Sequence, residues 1–174
     1  MPLSVQGGDL NSDGLLDILT VDSEGYFRVY FNSGSKTEPK FTHSELIPIY
    51  LSRFNWQRDF RHTLKANLYD FTRSGTLDLI IGNYGGEIWF LKNTGTAMSP
   101  DFRQPPDINR IVLNTTKAGN LWGNLFAPAA WDWDRDGNTD LLIGEGSYSA
   151  NAVHVLLNQG NRSAPRFNED AHYY

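Results

Sequence analysis

Two segments of this 174-residue chain carry nearly the same pattern of oxygen-bearing side chains around a glycine. In each, such side chains stand at positions 1, 3, 5 and 9, and glycine stands at position 6, where a sharp turn favours a residue that tolerates positive φ. Ca²⁺ typically takes six to eight oxygen ligands, which a tightly curled acidic loop can supply. We therefore predict two calcium sites: Asp9, Asn11, Asp13, Asp17 and the carbonyl of Leu15, and Asp132, Asp134, Asp136, Asp140 and the carbonyl of Asn138.

The loops differ from an EF-hand, which requires Glu at position 12 and flanking helices. Position 12 is Thr20 in the first loop and Ile143 in the second, and apolar, β-branched runs of strand length surround both residues. Each loop is therefore expected to lead into a β-strand. The simpler alternative is a pair of Asp-Gly turns, because Asp, Asn and Gly favour turns for local reasons. Two copies with the fourth carboxylate at the same offset favour metal binding.

Composition limits the classes of protein that the chain can represent. Hydrophobic residues make up 40% and aromatic residues 13%, which is enough for one domain with a core and favours β-structure. The net charge is -5, much of it in the loops, so a basic nucleic-acid surface is not expected. Apolar runs are too short for a membrane span. The absence of cysteine excludes disulfides, thiolate zinc sites and cysteine nucleophiles.

The chain repeats three times. Asp9, Asp70 and Asp132 begin equivalent loops and lie 61 and 62 positions apart. Each loop is followed by a marker of the form Asn-x-Gly and then Pro-x-Phe, with identical internal offsets; the markers begin at Asn32, Asn93 and Asn158. We predict one domain, residues 1–174, built from repeats at approximately 1–61, 62–123 and 124–174.

Each repeat is predicted to contain about four antiparallel strands, one before the loop, a hairpin between loop and marker, and one after the marker. This is the composition of a β-propeller blade, so the predicted class is all-β. The third hairpin is longer, since Asp140 and Asn158 are 18 positions apart where the other two repeats have 15. The predicted strands are 3–6, 15–21, 26–31, 43–49, 64–69, 76–82, 87–91, 108–113, 126–131, 139–144 and 152–157.

The middle loop, Asp70 to Asp78, is degenerate. Thr72 and Ser74 replace the acidic or amide residues at positions 3 and 5, and Arg73 adds a positive charge. Fewer carboxylates mean weaker calcium binding. This loop is expected to keep its shape through hydrogen bonds, with a weakly held cation or none.

The repeats resemble the FG-GAP/VCBS family, whose calcium-loop blades also form the integrin α-subunit propeller. The resemblance covers nearly the whole chain and rests on Asp-x-Asp/Asn-x-Asp-Gly-x-x-Asp running into a strand, on the hairpin, and on the marker. It implies calcium in the loop between the first two strands of a blade, on the ligands named above. Propellers usually close with four to eight blades, so three blades imply partners: further blades in cis or copies of the chain, as a ring or an open stack.

A binding or scaffold module is expected rather than an enzyme, because the sequence contains no His-Glu-x-x-His, Gly-x-Ser-x-Gly or phosphate-binding glycine loop. Calcium loops suit millimolar extracellular calcium, so we expect a secreted or cell-surface protein in adhesion, recognition or assembly. No signal peptide is visible at Met1–Ser4. Two sequons, at Asn114 and Asn161, matter only if the host glycosylates secreted proteins.

The alternative is an accessory carbohydrate-binding propeller of a polysaccharide-degrading enzyme. Exposed aromatic side chains could stack on sugars or anchor a protein ligand. Aromatic residues of propellers also pack between blades, where they bury a large area, and this second interpretation is favoured. The candidates are Trp122, Trp131, Trp133, Tyr84 and Tyr148.

Overall fold

A computed structural model describes residues 2–22, 25–49, 64–82, 88–103, 110–111, 126–146, 151–162, 165–167 and 172–173. The described residues form three antiparallel sheets of four strands each, which confirms the predicted all-β class. In this part of the chain no helix is long and apolar enough to span a membrane. The first sheet contains β1 (Pro2–Gly8), β2 (Asp17–Asp22), β3 (Phe27–Tyr30) and β4 (Glu45–Leu46); the middle sheet β5 (Lys65–Tyr69), β6 (Asp78–Gly82), β7 (Ile88–Leu91) and β8 (Arg110–Ile111); the third sheet β9 (Phe126–Trp131), β10 (Asp140–Gly146), β11 (Asn151–Leu156) and β12 (His172–Tyr173).

Each sheet is a meander in chain order, as the repeats predict. In the first two repeats the predicted start of the second strand was two residues too early, since β2 begins at Asp17 and β6 at Asp78; in the third repeat it was one residue too early, since β10 begins at Asp140. The loop extends to its ninth position, where the side chain turns inward. Strand β12 was not located by the sequence analysis, since its two residues carry no alternating pattern.

The sheets stack face to face around two apolar clusters. One cluster joins the first and middle sheets, and includes Leu19 and Val21 facing Leu79 and Ile81. The other joins the middle and third sheets. All residues of β6 and β7 are buried, so both faces of the middle sheet are covered. Each fully buried aliphatic or Phe side chain contributes about 1.5–3 kcal/mol to the stability of the fold. The first strands of the three sheets, β1, β5 and β9, lie side by side in that order.

The marker asparagines are buried hydrogen-bond acceptors that shape the chain after each hairpin. Oδ1 of Asn32 accepts the N–H groups of Gly34 and Lys40, both at 2.9 Å. Asn93 and Asn158 make the equivalent pairs at 2.9–3.1 Å with the residues two and eight positions later. The identical offsets of the marker therefore arise because one side chain must hold both ends of the same turn.

Replacing Gly34 with alanine is expected to lower the free energy of unfolding by roughly 2 kcal/mol, because the side chain overpacks a tight turn. A Cβ there would clash with the carbonyl oxygen of Glu38 and would approach the amide nitrogen of Lys40 to 2.8 Å. Gly7→Ala is the matched control, since the nearest atom to its Cβ is the Asp17 carbonyl oxygen at 3.8 Å. Urea denaturation compares the two variants, and equal midpoints would contradict the steric account.

Candidate metal centre

The three loops share one backbone conformation. The residue at position 4 is left-handed in each, with φ of 59° at Ser12, 50° at Arg73 and 62° at Arg135. The glycines at position 6 are also left-handed, with φ of 85°, 83° and 89° in chain order. A non-glycine residue seldom adopts positive φ, because its Cβ approaches the following carbonyl, so surrounding contacts must hold it there. The loops therefore curl alike whether or not they keep all the acidic side chains.

The carboxylate at position 1 closes the first two loops. Asp9 accepts hydrogen bonds from the backbone N–H groups four and five residues later, at 3.0 and 2.9 Å. Asp70 accepts the same pair in the middle loop, both at 2.9 Å. The middle loop thus keeps its shape through hydrogen bonds, as predicted, and Ser74 and Thr76 add a hydroxyl contact at 2.8 Å.

The third loop lacks one of these bonds. Asp132 accepts the N–H of Gly137 at 3.2 Å through Oδ2, but its Oδ1 is buried and receives no hydrogen bond from the described residues. The N–H of Asp136 donates to the side chain of Asp134 instead, at 3.1 Å. A buried carboxylate oxygen without a donor is unfavourable. A cation beside this oxygen would therefore be stabilising.

Three carboxylates converge in the same loop. Asp132, Asp134 and Asp136 each offer an oxygen, and these oxygens lie within 4.8 Å of one another. Asp134 and Asp136 are exposed, so an ion can reach them from solvent. An all-oxygen donor set suits a hard cation such as Ca²⁺. Calcium would reduce the repulsion among the three negative charges and would supply a partner for the buried oxygen, so the residues present fit the predicted ion.

Asn138 and Arg162 hold the acidic end of this loop. Asn138 donates its backbone N–H and its side-chain amide to the two oxygens of Asp136, at 2.6 and 2.8 Å. These bonds, with a smaller contribution from the charge of Arg162, lower the pKa of Asp136 and favour the ionised form that binds a cation. Arg162 also donates from Nε to the carbonyl oxygen of Gly137 at 2.9 Å. Arg162 was not predicted as part of the site, because it lies within the marker, between Gly160 and Pro165, and no local pattern links it to the loop.

The first loop is closed by bonds among its own oxygen-bearing residues. The side-chain oxygen of Asn11 accepts the N–H of Asp13 at 3.1 Å, and Nδ2 of Asn11 donates to the carboxylate of Asp13 at 2.9 Å. The other oxygen of Asp13 accepts the N–H of Leu15 at 2.8 Å. Calcium binding here would replace some of these hydrogen bonds with coordination. The first site stays a prediction from the sequence.

The carboxylate at position 9 joins the loop to the hairpin. Asp17 is fully buried and accepts the N–H groups of the second loop residue and of the marker asparagine, both at 2.9 Å. Asp140 does the same at 2.7 and 2.8 Å, across the longer hairpin. Burial raises the pKa of Asp140, while the backbone hydrogen bonds oppose that effect. Asp140 does not belong to the three-carboxylate group, so its role as a ligand, like that of Asp17, stays a prediction.

Trp131 and Trp133 flank the first residue of the third loop and are exposed by 64% and 48%. The other aromatic candidates, Trp122, Tyr84 and Tyr148, lie outside the described residues, as does the sequon at Asn114. Asn161, the asparagine of the other sequon, is exposed. The structure thus places two of the five aromatic candidates beside the acidic group.

No protein-family model and no curated protein matches this chain. The resemblance to FG-GAP/VCBS repeats therefore remains a prediction that rests on the residues quoted above.

Proposed function

We propose that this chain is a calcium-binding β-propeller module of a secreted or cell-surface protein that serves adhesion, recognition or assembly. The observation that carries the proposal is the group of Asp132, Asp134 and Asp136, in which a buried oxygen of Asp132 receives no hydrogen bond from the described residues. The role of calcium is structural. It offsets the charge of a loop that leads directly into β10, and loops of this kind suit the calcium concentrations found outside cells.

The stacking of the sheets supports the interpretation of each sheet as one blade of a propeller. Blades are four-stranded antiparallel sheets arranged radially, with their first strands around a central axis. Here three such sheets follow one another at a repeat of 61 and 62 residues, and β1, β5 and β9 are neighbours. Further blades, in cis or from other copies, would complete the ring.

Asp134→Asn is expected to weaken cation binding at the third loop by at least about tenfold, because removing a carboxylate lowers the affinity of an oxygen site. Tb³⁺ is a suitable probe, since it replaces Ca²⁺ in oxygen sites and luminesces when a nearby tryptophan is excited. Trp133 lies within this loop, so the signal reports on the third site. Competition by Ca²⁺ then gives the calcium affinity.

Ser74→Ala is the control, because Ser74 is an oxygen-bearing residue of the middle loop, which lacks most of the predicted calcium ligands. It should leave the Tb³⁺ titration unchanged. A chain without sensitised luminescence, or an Asp134→Asn variant with unchanged affinity, would contradict the proposed site.

The second candidate function is carbohydrate binding, as the accessory propeller of a polysaccharide-degrading enzyme. It is favoured by the exposure of Trp131 and Trp133 beside the acidic group, since flat aromatic rings can stack on sugars. Oligosaccharide titration monitored by tryptophan fluorescence tests it. Saturable quenching that Trp131→Ala abolishes would support this function over the first.

A further inference from the structure

Each sheet has two faces that the strand register defines. In the middle sheet, Leu79 and Ile81 point toward the first sheet, whereas Ile80 points toward the third. We call the face toward the preceding repeat the backward face and the other the forward face. Equivalent positions behave alike in the other sheets, because Leu19 is on the forward face of the first sheet and Leu141 on the backward face of the third.

Contacts between neighbouring repeats also recur. The second residue of the middle loop, Phe71, is buried and packs against the marker phenylalanine of the third repeat, Phe167, with ring centroids 6.0 Å apart at 81°. Leu10 and Phe102 hold the equivalent positions one repeat earlier and belong to one core cluster. The N–H of Phe102 also donates to the carbonyl oxygen of Pro48 at 3.0 Å. The marker phenylalanines of the second and third repeats therefore dock on the repeat before them.

The forward face of the third sheet is apolar but incompletely covered. Trp131 pairs with Asp140 and Val153 with Gly144, which places both side chains on this face, and they are 64% and 45% exposed. Trp133, equivalent to the buried Phe71, is 48% exposed. On the forward face of the middle sheet, by contrast, Ile80 and Ile88 are fully buried and Phe90 is nearly so. The third sheet therefore leaves exposed part of the surface that the first two sheets bury, at Trp131 and Val153, while Val155 on the same face is buried.

The backward face of the first sheet is the complementary surface. Val5 pairs with Thr20 and Leu46 with Arg28, so all four side chains share this face, and Val5 and Leu46 are 59% and 52% exposed. Phe41, the marker phenylalanine of this repeat, is partly exposed where Phe102 is buried. The chain thus carries both halves of the contact that joins its own repeats.

We infer that the forward face of the third sheet binds the backward face of the first sheet of a second copy of this chain. The contact is head-to-tail: Phe41, on the backward face of one copy, docks beside Trp133, on the forward face of the other copy. The contact continues the spacing of the three repeats. Such a heterologous contact forms a ring if the rotation closes and a filament if it does not. The inference rests on the propeller arrangement of the proposed function, but it does not depend on calcium.

The experiment uses two double variants of the full chain. Trp131→Glu with Val153→Glu blocks the forward face, and Val5→Glu with Leu46→Glu blocks the backward face. Because all four residues are exposed, folding should be retained, which circular dichroism checks. Met98→Glu, at a side chain 70% exposed on a marker turn of the middle repeat, is the control for adding charge to an apolar surface residue.

Light scattering and sedimentation should show self-association of the wild-type chain and of Met98→Glu. Each double variant alone should be monomeric, with self-association weakened roughly a hundredfold or more. An equimolar mixture should form a dimer of twice the 19.7 kDa chain mass, since each variant keeps one intact half of the contact. A dimer in the mixture identifies a heterologous contact.

Three results would overturn the inference: a wild-type chain that stays monomeric, association lost in only one double variant, or no dimer in the mixture. A monomer would assign the forward face to another protein or to further repeats of a longer chain. The measurements are made with calcium and with EDTA. Tb³⁺ titration of the monomeric backward-face variant, whose third loop is unaltered, tests calcium binding separately, so either proposal can fail alone.

Discussion

Asp78→Ala is expected to lower the free energy of unfolding by about 4 kcal/mol, because it leaves one buried and two partly buried donors unpaired at roughly 1–3 kcal/mol each. Asp78 is fully buried and accepts the N–H of Asn93 at 2.9 Å and both the N–H and the hydroxyl of Thr72 at 3.1 Å. Burial raises the pKa of this carboxyl, while those hydrogen bonds oppose the shift. The middle loop is the best place for the test, since it lacks most of the predicted calcium ligands and the effect isolates hydrogen bonding.

Urea denaturation at neutral pH, in EDTA, measures the loss. The free energy of unfolding of Asp78→Asn should lie between those of Asp78→Ala and the wild type. One oxygen acceptor remains in this variant, while the new amide group faces a backbone donor. Asp101→Ala is the control: this aspartate forms an exposed ion pair with Arg103, and the denaturation midpoint should hardly move. An Asp78→Ala chain as stable as wild type would show that the buried carboxylate does not hold loop and hairpin together.

Removing calcium is expected to lower the unfolding temperature by about 10–20 °C. A ligand at a hundred times its dissociation constant stabilises a site by about 2.7 kcal/mol, so two sites give about 5 kcal/mol. For a chain of this length 1 kcal/mol corresponds to about 2–4 °C. The physical reason is that the clustered carboxylates repel one another in the folded loops and are released from that repulsion on unfolding.

Thermal unfolding followed by circular dichroism, in millimolar Ca²⁺ and after EDTA treatment, measures the shift. The Asp13→Asn and Asp134→Asn double variant provides the matched comparison. A tenfold loss of affinity reduces the stabilisation at each site to about 1.4 kcal/mol, so its shift between the two buffers should be at most about half that of the wild type. Magnesium should restore little stability, because it requires near-octahedral geometry and gives up its water reluctantly. Identical wild-type curves with and without calcium would argue against a structural ion.

The strands and loops could be predicted from the sequence because their signals are local. Alternating apolar residues, Asp-Gly loops and the marker each act within about ten residues, and their threefold recurrence separated them from chance turns. The structure confirms the all-β class and the meander within each sheet. It also confirms the retained shape of the middle loop, in which the carboxylate of Asp70 accepts the same two backbone N–H groups as Asp9 and Gly75 keeps its positive φ.

The tertiary structure decided which of several similar residues is buried. Asp17 and Asp136 are both loop carboxylates, yet one lies fully buried between loop and hairpin and the other lies exposed in the acidic group. Phe71 and Trp133 occupy the same loop position, yet only Phe71 is fully buried, because a phenylalanine from the following repeat packs against it. Burial of a side chain depends on neighbours that lie far away in the chain. A local pattern can therefore specify the residue and its loop, whereas only the packing of one sheet on another determines what surrounds it.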